Sequence, residues 1–358
     1  MFSNKHERIG RNIFLHFFFN TRIILNMILS NLSLPRFSGC LHVIVPALLY
    51  GCSEEIPQHE LLSTMLTKAS INSSATAKES TLDIFTFEDD RLRHLDAYQR
   101  IEDLKTGLIG ISSTSGDKIF FFCLNGQKDR YEWGMISSYY SLLDIFCDLE
   151  KETHSRRTMT GEAYAIAGTR LQHVAVSPLT SEVSIEVLAC DFSGTPYSGS
   201  AITDVKAYLI NVCASCPLLY TNGYKPTRII NTGSLNLSDI SSFHDPRIIA
   251  AEITERLSIE TIHPSISLLC YPNPAVEESP GSPHTRLVIE GKIDSHTYYW
   301  PITINKGTGV ERGKRYTYDI LIRRKGVSDP DTPIDDASMD IKVKIKPWTE
   351  KEEYSVGF

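Results

Sequence analysis

The sequence lacks the motifs by which many enzymes are recognised. It contains no Gly-x-Ser-x-Gly nucleophile motif, no HExxH zinc motif and no Gly-rich phosphate-binding loop. Its histidines are scattered, without the paired spacing of a metal site. We therefore predict that the protein is not an enzyme and that it uses no metal or other cofactor.

Beyond the first 52 residues, acidic residues outnumber basic ones. That segment carries five of the 36 basic residues but only one of the 43 acidic residues. The rest of the chain has 31 basic and 42 acidic residues, which gives it a net charge of −11. Nucleic-acid binding requires clustered Lys and Arg side chains that neutralise phosphates. We therefore predict no nucleic-acid partner.

The eight cysteines do not define a disulfide framework. Most stand singly in apolar runs such as FFFCL and LDIFCDL, where a free Cys acts as a small buried hydrophobe. Cys213 and Cys216 have the spacing of redox or zinc motifs, but no second pair accompanies them. Two interpretations stay open for this pair, a chance spacing and a local disulfide in a loop.

The segment 328–340 (SDPDTPIDDASMD) is rich in aspartate. Carboxylates suit calcium, but the segment lacks the glycine and the terminal glutamate of an EF-hand loop. An acidic, solvated loop between strands is the favoured interpretation.

Long hydrophobic runs are also missing. Neither apolar segment near the N-terminus, 13–29 or 40–51, reaches the roughly 18 uninterrupted apolar residues of a membrane-spanning helix. Segment 40–51 has the length of a signal-peptide core and ends in small residues. We predict a signal peptide over residues 1–51, with Met27 as an alternative start because ordinary signals have about 15–30 residues.

The end of this segment, LLYGC, resembles the lipobox of bacterial lipoproteins. The resemblance implies cleavage just before Cys52, with Leu49 and Gly51 flanking the cut, and attachment of palmitate-type acyl chains to Cys52. Buried acyl methylenes contribute ~0.8 kcal/mol each to membrane binding. The acids that follow resemble a signal for display on the outer membrane surface. The alternative is a signal peptide in which Cys52 is incidental.

Strand signals dominate the remaining chain. Residues 52–80 are rich in Ser and Thr, which predicts a tether with a first strand at about 59–67. From TLDIFTF onward, β-branched and aromatic runs alternate with turn residues. Only 133–150 spaces its apolar residues as a helix does. The predicted fold class is all-β with one short helix.

The C-terminal strands alternate most regularly. IKVKIKPW interleaves Ile341, Val343 and Ile345 with lysines, which predicts an edge strand with one buried and one solvated face. The number of strands fits two β-sandwich domains. We predict these domains at 81–170 and 171–358.

The aromatic run at 298–300 has two interpretations. Tyr298, Tyr299 and Trp300 would form a platform for sugar rings if they were exposed. Alternation along a strand instead favours packing of Tyr298 and Trp300 in the core.

Several longer segments resemble fimbrillin-like proteins, the subunits of type V pili. These segments are TLDIFTFEDDRLRHLDAYQRI, MTGE, TRLVIEGKIDSHTYYWPITI, GVERGKRYTYDILIRRKGVSDPDTPI and a Lys-alternating strand that ends in KPWTEKEEY. None is a strict motif, but in order and spacing they cover most of residues 81–358. The resemblance implies two transthyretin-like β-sandwich domains and a cell-surface fimbrial subunit that supports adhesion.

The resemblance also implies assembly by donor-strand exchange. A protease removes the first strand of a subunit, and a strand from a neighbouring fimbrial subunit fills the groove. The donor-strand candidates are Ile341, Val343, Ile345, Tyr354, Val356 and Phe358.

One departure from the family pattern concerns the protease site. Stalk subunits have an Arg after the first strand, whereas between Cys52 and Arg91 the only basic residues are Lys68 and Lys78. These lysines are the candidate processing sites. The departure favours a tip subunit or an anchor that keeps its lipid. The competing hypothesis is a non-polymerising surface lipoprotein that binds a host glycan.

Overall fold

The computed structural model describes most of the chain beyond residue 64. The described ranges are 65–72, 80–102, 107–128, 130–169, 174–221, 223–279, 281–334, 338–347 and 354–357. They lie in one compact unit, Leu62–Phe358. Within these ranges no helix has the length and apolar character needed to cross a membrane.

The described residues form twenty strands. In chain order these are β1 (Met65–Asn72), β2 (Leu82–Glu88), β3 (Leu95–Ile101), β4 (Gly107–Ser113), β5 (Asp117–Leu124), β6 (Phe146–Asp148), β7 (Met159–Ile166), β8 (Val174–Pro178), β9 (Ser181–Cys190), β10 (Thr203–Ile210), β11 (Val212–Cys213), β12 (Ser215–Pro217), β13 (Ile229–Ile230), β14 (Ala250–Ile253), β15 (Ile266–Cys270), β16 (Arg286–Ile293), β17 (His296–Thr303), β18 (Lys314–Ile322), β19 (Met339–Pro347) and β20 (Tyr354–Gly357).

Helical segments are few and short. They are α1 (Arg130–Trp133), α2 (Leu237–Ile240) and the 3-10 turns Tyr139–Leu143, Leu149–Lys151 and Pro246–Ile248.

The helix predicted over 133–150 is wrong. This segment contains two 3-10 turns with β6 between them. Most apolar residues of the pattern are buried, but Tyr140 is half exposed. The backbone N–H of Ser138 donates to the hydroxyl of Ser141. This capping-box bond starts the 3-10 turn at Tyr139, and residues 146–148 then pair with β12, so strand pairing with a distant segment replaces the helix that the local spacing indicates.

The first half of the molecule is organised around an eight-stranded sheet. Its order is β3-β2-β5-β7-β8-β20-β1-β4, and all neighbouring strands are antiparallel. The central strands β2 and β5 are buried along almost their whole length. Ile84 and Phe120 pack with Ile109 and Ile111 of β4, whereas Phe85 joins the larger core. Both faces of the central strands are therefore covered, which explains their unbroken apolar runs.

The second half contains two four-stranded sheets. Their orders are β14-β10-β16-β17 and β15-β9-β18-β19, and β9 runs parallel to β18. Leu209 and Ile289 of the first of these sheets share one hydrophobic cluster with Val183 and Tyr316 of the second. Two sheets that bury their inner faces in this way form a β-sandwich. The predicted all-β class is confirmed.

The division of the chain at residue 170/171 stays a prediction. The described backbone adds that β8 pairs with β7 of the eight-stranded sheet. The next strand, β9, belongs to the sandwich of the second half. In the following text, the first half therefore means the residues up to Pro178, and the second half means Leu179–Pro347.

A short ribbon joins these halves. Strand β6 comes between β5 and β7 in the sequence, yet it pairs with β12 of the second half. The ladder continues on both sides, since the backbone N–H of Leu149 donates to Ala214 at 2.9 Å and that of Leu218 donates to Ile145 at 2.7 Å. The ribbon therefore consists of one strand from each half, paired antiparallel.

Candidate functional site

Strand β19 is the most unusual surface element. It pairs with β18 along all nine residues and is the last strand of its sheet. Ile341, Val343 and Ile345 stand opposite Ile320, Tyr318 and Tyr316, which are buried in the core. Because directly paired residues project to the same face, the three apolar side chains of β19 point to the core side of the sheet.

These three side chains are nevertheless exposed. The exposed fractions are 37% for Ile341, 43% for Val343 and 45% for Ile345. The prediction of an edge strand is confirmed, but the prediction that one of its faces is buried is wrong. The reason is that the sandwich core ends beneath β18, so that within the described part of the chain no second layer covers the apolar row of β19. We call these three residues the β19 apolar row.

The other face of β19 carries lysines, one of which is paired with acids. Lys344 donates to Glu186 at 3.0 Å and lies 3.5 Å from Asp319. The hydrogen bond to Glu186 raises the pKa of Lys344. Lys342 and Lys346 are exposed. Lysines on an edge strand oppose pairing with unrelated strands, so this charged face protects the apolar strand from aggregation.

Strand β1 lies inside the eight-stranded sheet. Its residues 65–71 pair with β4, and residues 70–72 pair with β20. The described strand is Met65–Asn72, which overlaps the predicted 59–67 at residues 65–67, while residues 59–64 lie outside the described residues. Lys68 lies within β1 opposite Gly110, and not after the strand.

Strand β20 lies beside β1 in the same sheet. It pairs with β8 on one side and with β1 on the other, over three residues each. The donor candidates Tyr354 and Val356 therefore belong to a strand that is held on both edges within its own chain. Phe358 lies outside the described residues.

Several predicted site residues also lie outside the described ranges. These are Leu49, Gly51, Cys52 and Lys78. The signal-cleavage, lipid-attachment and Lys78 processing hypotheses stay predictions.

Sequence reasoning missed β4, which forms one wall beside β1. The segment GLIGISS carries two glycines and two serines, and these weakened its strand signal. The alternation of Ile109 and Ile111, both buried, is the feature that indicates the strand.

The CxxC spacing does not produce a bridged pair. Residues 212–213 and 215–217 are both in strands, so Cys213 and Cys216 are three steps apart along a nearly extended chain. At about 3.3 Å per residue this amounts to ~10 Å, beyond the ~7 Å limit for Cα atoms joined by a disulfide. The thiol of Cys213 donates to the carbonyl of Ser215 instead. The local-disulfide interpretation is therefore wrong.

Two other predicted features have structural roles. Trp300 is buried, and its indole N–H donates to the carbonyl of Arg324 at 3.0 Å, which confirms core packing for this residue. Tyr298 is only half-buried and lies near Lys325. In the acidic segment, Asp331 forms an ion pair with the buried Arg286 and accepts a hydrogen bond from Asn211 at 2.9 Å.

The arrangement offers backbone pairing rather than chemistry. An edge strand with an uncovered apolar row supplies both hydrogen-bonding groups and side chains for a neighbouring chain. A first strand that lies between two other strands leaves a groove of its own length if it is removed. Both features depend on main-chain geometry, and a reactive side chain is not required for either.

Comparison with known proteins supports the same fold. No family model and no curated protein matches the chain. Among solved structures, a fimbrilin from Porphyromonas gingivalis is similar, with a TM-score of 0.56, 13% identity and coverage of 80% of this chain and 99% of that one. A candidate cell adhesion protein from Bacteroides eggerthii gives a TM-score of 0.57 at 15% identity, covering 80% and 95%. One from Parabacteroides distasonis gives 0.54 at 12%, covering 80% and 100%.

These identities are low, so the likeness defines the fold and not the activity. The chain has the all-β sandwich fold found in fimbrilin and in candidate adhesion proteins of related bacteria. The resemblance noted in the sequence is thereby confirmed at the level of the fold.

Proposed function

We propose that the protein is a cell-surface fimbrial subunit that assembles by strand addition and acts in adhesion rather than catalysis. The observation that carries this proposal is the β19 apolar row, three core-facing side chains on an edge strand that no other described layer covers. Fully burying such a side chain is worth about 1.5–3 kcal/mol. A partner that covers the row would recover much of this free energy. The fold likeness to fimbrilin supports the same conclusion.

The acceptor in this proposal is the groove occupied by β1. Removing β1 leaves the edges of β4 and β20 unpaired, since β1 bonds to both. β1 has eight residues and β19 has nine, so a β19 strand from a neighbouring subunit matches the groove in length.

We favour β19 over β20 as the donor. Strand β20 has four residues and is flanked by β8 and β1 in its own chain. Strand β19 is held on one edge only. Within the described residues, β19 therefore keeps one edge open to a neighbouring chain, and its core-side apolar row is exposed, whereas both edges of β20 are paired. Because head-to-tail joining of this kind does not close on itself, it produces a filament.

We further propose that Cys52 carries a lipid that holds the subunit at the outer membrane until cleavage removes the N-terminal segment. The absence of Arg between Cys52 and Arg91 supports a subunit at the tip or at the anchor of the fibre. Its partners are then other fimbrial subunits and, through adhesion, a host glycan or protein.

Protease treatment followed by electrophoresis tests strand addition. A trypsin-like protease that removes the segment containing β1 should convert the exported protein, alone or with partner subunits, into SDS-resistant ladders. Val343→Asp should abolish the ladders, because it places a carboxylate in the β19 apolar row. Lys346→Asp is the matched control, since it puts the same charge on the opposite face of the same strand, across from Arg315.

Two outcomes contradict the proposal. One is that the cleaved protein stays monomeric in the presence of partner subunits, and the other is that Val343→Asp forms ladders as the wild type does. A monomeric protein that binds glycans on an array would instead support the non-polymerising lipoprotein.

A further inference from the structure

We propose that a tyrosine-rich surface on the first half of the molecule binds a neutral sugar chain. We call this surface the tyrosine platform, and its residues are Arg93, Tyr139, Tyr140, Glu162 and Tyr164. The inference rests on the proposed function in one respect, because it names the class of ligand that adhesion would use. None of these residues belongs to β1, β19 or β20, so the platform and strand addition can be tested separately.

Strand β7 supplies one side of the platform. Glu162, Tyr164 and Ile166 are exposed and alternate with half-buried residues, and Tyr164 has an exposed fraction of 57%. Glu162 and Tyr164 stand opposite Phe121 and Ile119 of β5, which are buried in the larger core. Directly paired residues project to the same face. The core-side face of β7 is therefore left open to solvent along these residues.

The 3-10 turn Tyr139–Leu143 supplies the other side. Tyr140 has an exposed fraction of 50%, and its ring packs edge-on against that of Tyr139, with the ring centres 5.9 Å apart. The Tyr139 hydroxyl donates to one carboxylate oxygen of Glu162 at 2.8 Å, and the Tyr164 hydroxyl donates to the other at 3.4 Å. This carboxylate joins the tyrosines of both segments into one surface.

Arg93 lies over these rings on an unusual backbone. Its guanidinium carbon is 5.0 Å from the ring centre of Tyr139 and 5.5 Å from that of Tyr140, within the range of a cation–π interaction. Its φ of 51° lies in the left-handed region, and the other non-glycine residues with positive φ in the described ranges are all Asn, Asp or Ser. The Asp90 carboxylate stabilises this turn by accepting the backbone N–H of Arg93 at 2.6 Å. Backbone strain of this kind occurs mainly at ligand-binding and active sites, which points to a task for the guanidinium.

The polar groups of the platform have unused hydrogen-bonding capacity. With the described residues, the Arg93 guanidinium makes ring contacts but no hydrogen bond and no ion pair. A guanidinium carries five N–H donors, and a carboxylate such as that of Glu162 has about four acceptor positions, of which the tyrosines fill two. The platform therefore offers both donors and acceptors beside exposed rings.

A sugar ring complements these groups. Its apolar C–H face stacks on the electron-rich face of an aromatic ring, and the hydroxyls at its rim both donate and accept hydrogen bonds. Tyr164 supplies a ring, Arg93 supplies donors and Glu162 supplies acceptors. The charges of Arg93 and Glu162 offset each other, and an acidic sugar would be repelled by the carboxylate. The platform therefore fits a neutral sugar chain better than a charged one.

A protein is the alternative occupant. Leu92 and Ile166 are exposed beside the platform, and a protein partner would cover such apolar side chains. Glutamate is depleted in the centres of protein interfaces, however, whereas Glu162 lies at the centre of the platform. The observations therefore favour the sugar, and the two occupants differ in whether Ile166 contributes to binding.

A glycan array read with the labelled full-length protein tests the inference. The wild type should bind neutral oligosaccharides in preference to sialylated or sulfated ones. Arg93→Gly removes the guanidinium and suits the left-handed backbone, so the variant should fold and bind roughly tenfold or more weakly. Arg91→Gly, at an exposed position two residues away, is the matched control and should bind as the wild type does. Tyr164→Ala should also weaken binding, whereas Tyr164→Phe keeps the ring and should retain it.

The inference is overturned if the wild type binds no neutral glycan, or if Arg93→Gly and Tyr164→Ala bind as the wild type does. Adhesion to a protein-coated surface that is lost in Ile166→Ser, without glycan binding by the wild type, would identify a protein partner instead. Ladder formation separates these results from a failure of the proposed function. A protein that forms ladders but binds no glycan contradicts the platform and leaves strand addition intact. One that binds neutral glycans through Arg93 but forms no ladders supports the platform and contradicts strand addition.

Discussion

At the scale of single residues, Arg312 links the two halves most extensively. Its guanidinium donates to the carbonyls of Thr160, Ser177 and Pro178 at 2.9–3.1 Å, and to the Thr160 hydroxyl at 2.7 Å. Burial lowers the pKa of Arg312. The acceptors lie on or beside β7 and β8, whereas Arg312 precedes β18. A single side chain thus satisfies backbone groups of the other half.

Truncation of this side chain should be costly. Arg312→Ala removes four hydrogen bonds that a charged, buried donor makes to the other half, so we expect the free energy of unfolding to fall by about 3–5 kcal/mol. Urea denaturation measures the change. The exposed Arg256 supplies the control, because Arg256→Ala should change the stability by no more than about 0.5 kcal/mol. Equal effects of both substitutions would show that the Arg312 bonds contribute little.

A second buried polar contact between the two halves is made by Glu152. The Glu152 carboxylate accepts hydrogen bonds from Tyr271 of the second half at 2.9 Å and from Gln127 of the first at 2.7 Å. Burial raises the pKa of Glu152 even though these bonds oppose the shift. Polar side chains at the junction are therefore matched to partners and not left in an apolar seam.

At the scale of elements, the local sequence pattern predicted where strands form, but it did not predict what packs against them. β2, β5 and β18 follow from apolar runs or strict alternation, and the structure confirms them. The helix at 133–150 was wrong because residues 146–148 pair with β12 of the second half, a contact between distant segments that local spacing does not show. The exposure of the β19 apolar row was missed because alternation shows that a strand has two faces but not whether another layer covers one of them.

The position of β1 and β20 could not be read from the sequence either. Their neighbours in the sheet are far away along the chain, since β20 pairs with β8 and β1. Local signals specify that a strand exists, whereas its partners depend on how the whole chain closes. The candidate site was therefore predicted in part: Ile341, Val343 and Ile345 were identified, but the groove walls were not.

The position of β1 predicts where processing occurs. Lys68 lies inside a strand that is bonded to β4, and a protease cannot seat a backbone that is already paired. We therefore expect cleavage after Lys78, which releases β1 whole. N-terminal sequencing of the processed protein should begin at Glu79, and Lys78→Gln should block processing whereas Lys68→Gln should not. Processing that persists in Lys78→Gln and stops in Lys68→Gln would contradict this.

At the scale of the whole molecule, the proposed function needs a lipid anchor on the exported chain, and then a groove and a donor strand in the same chain once cleavage has removed the anchor with β1. The second half supplies the donor edge at β19, and the first half supplies the groove at β1. Every subunit then carries both complementary features, which is the requirement for an open, head-to-tail filament.

Lipid attachment is tested by a single substitution. Cys52→Ala removes the thiol that accepts the acyl chain, so the protein should move from the membrane fraction to the soluble fraction and lose incorporation of labelled palmitate. Cys40→Ala is the matched control, because Cys40 precedes the cleavage site and should leave both properties unchanged. Retention of Cys52→Ala in the membrane fraction would show that Cys52 is not the anchor.

The central claim is that removal of β1 opens a groove that accepts the β19 strand. Its most direct test is the binding of a synthetic peptide of residues 339–347 to the purified protein before and after cleavage at Lys78, with a Val343→Asp peptide as control. The account predicts a 1:1, SDS-resistant complex of the unmodified peptide with the cleaved protein alone. Equal binding to the uncleaved protein, or no complex with the cleaved protein, would contradict it.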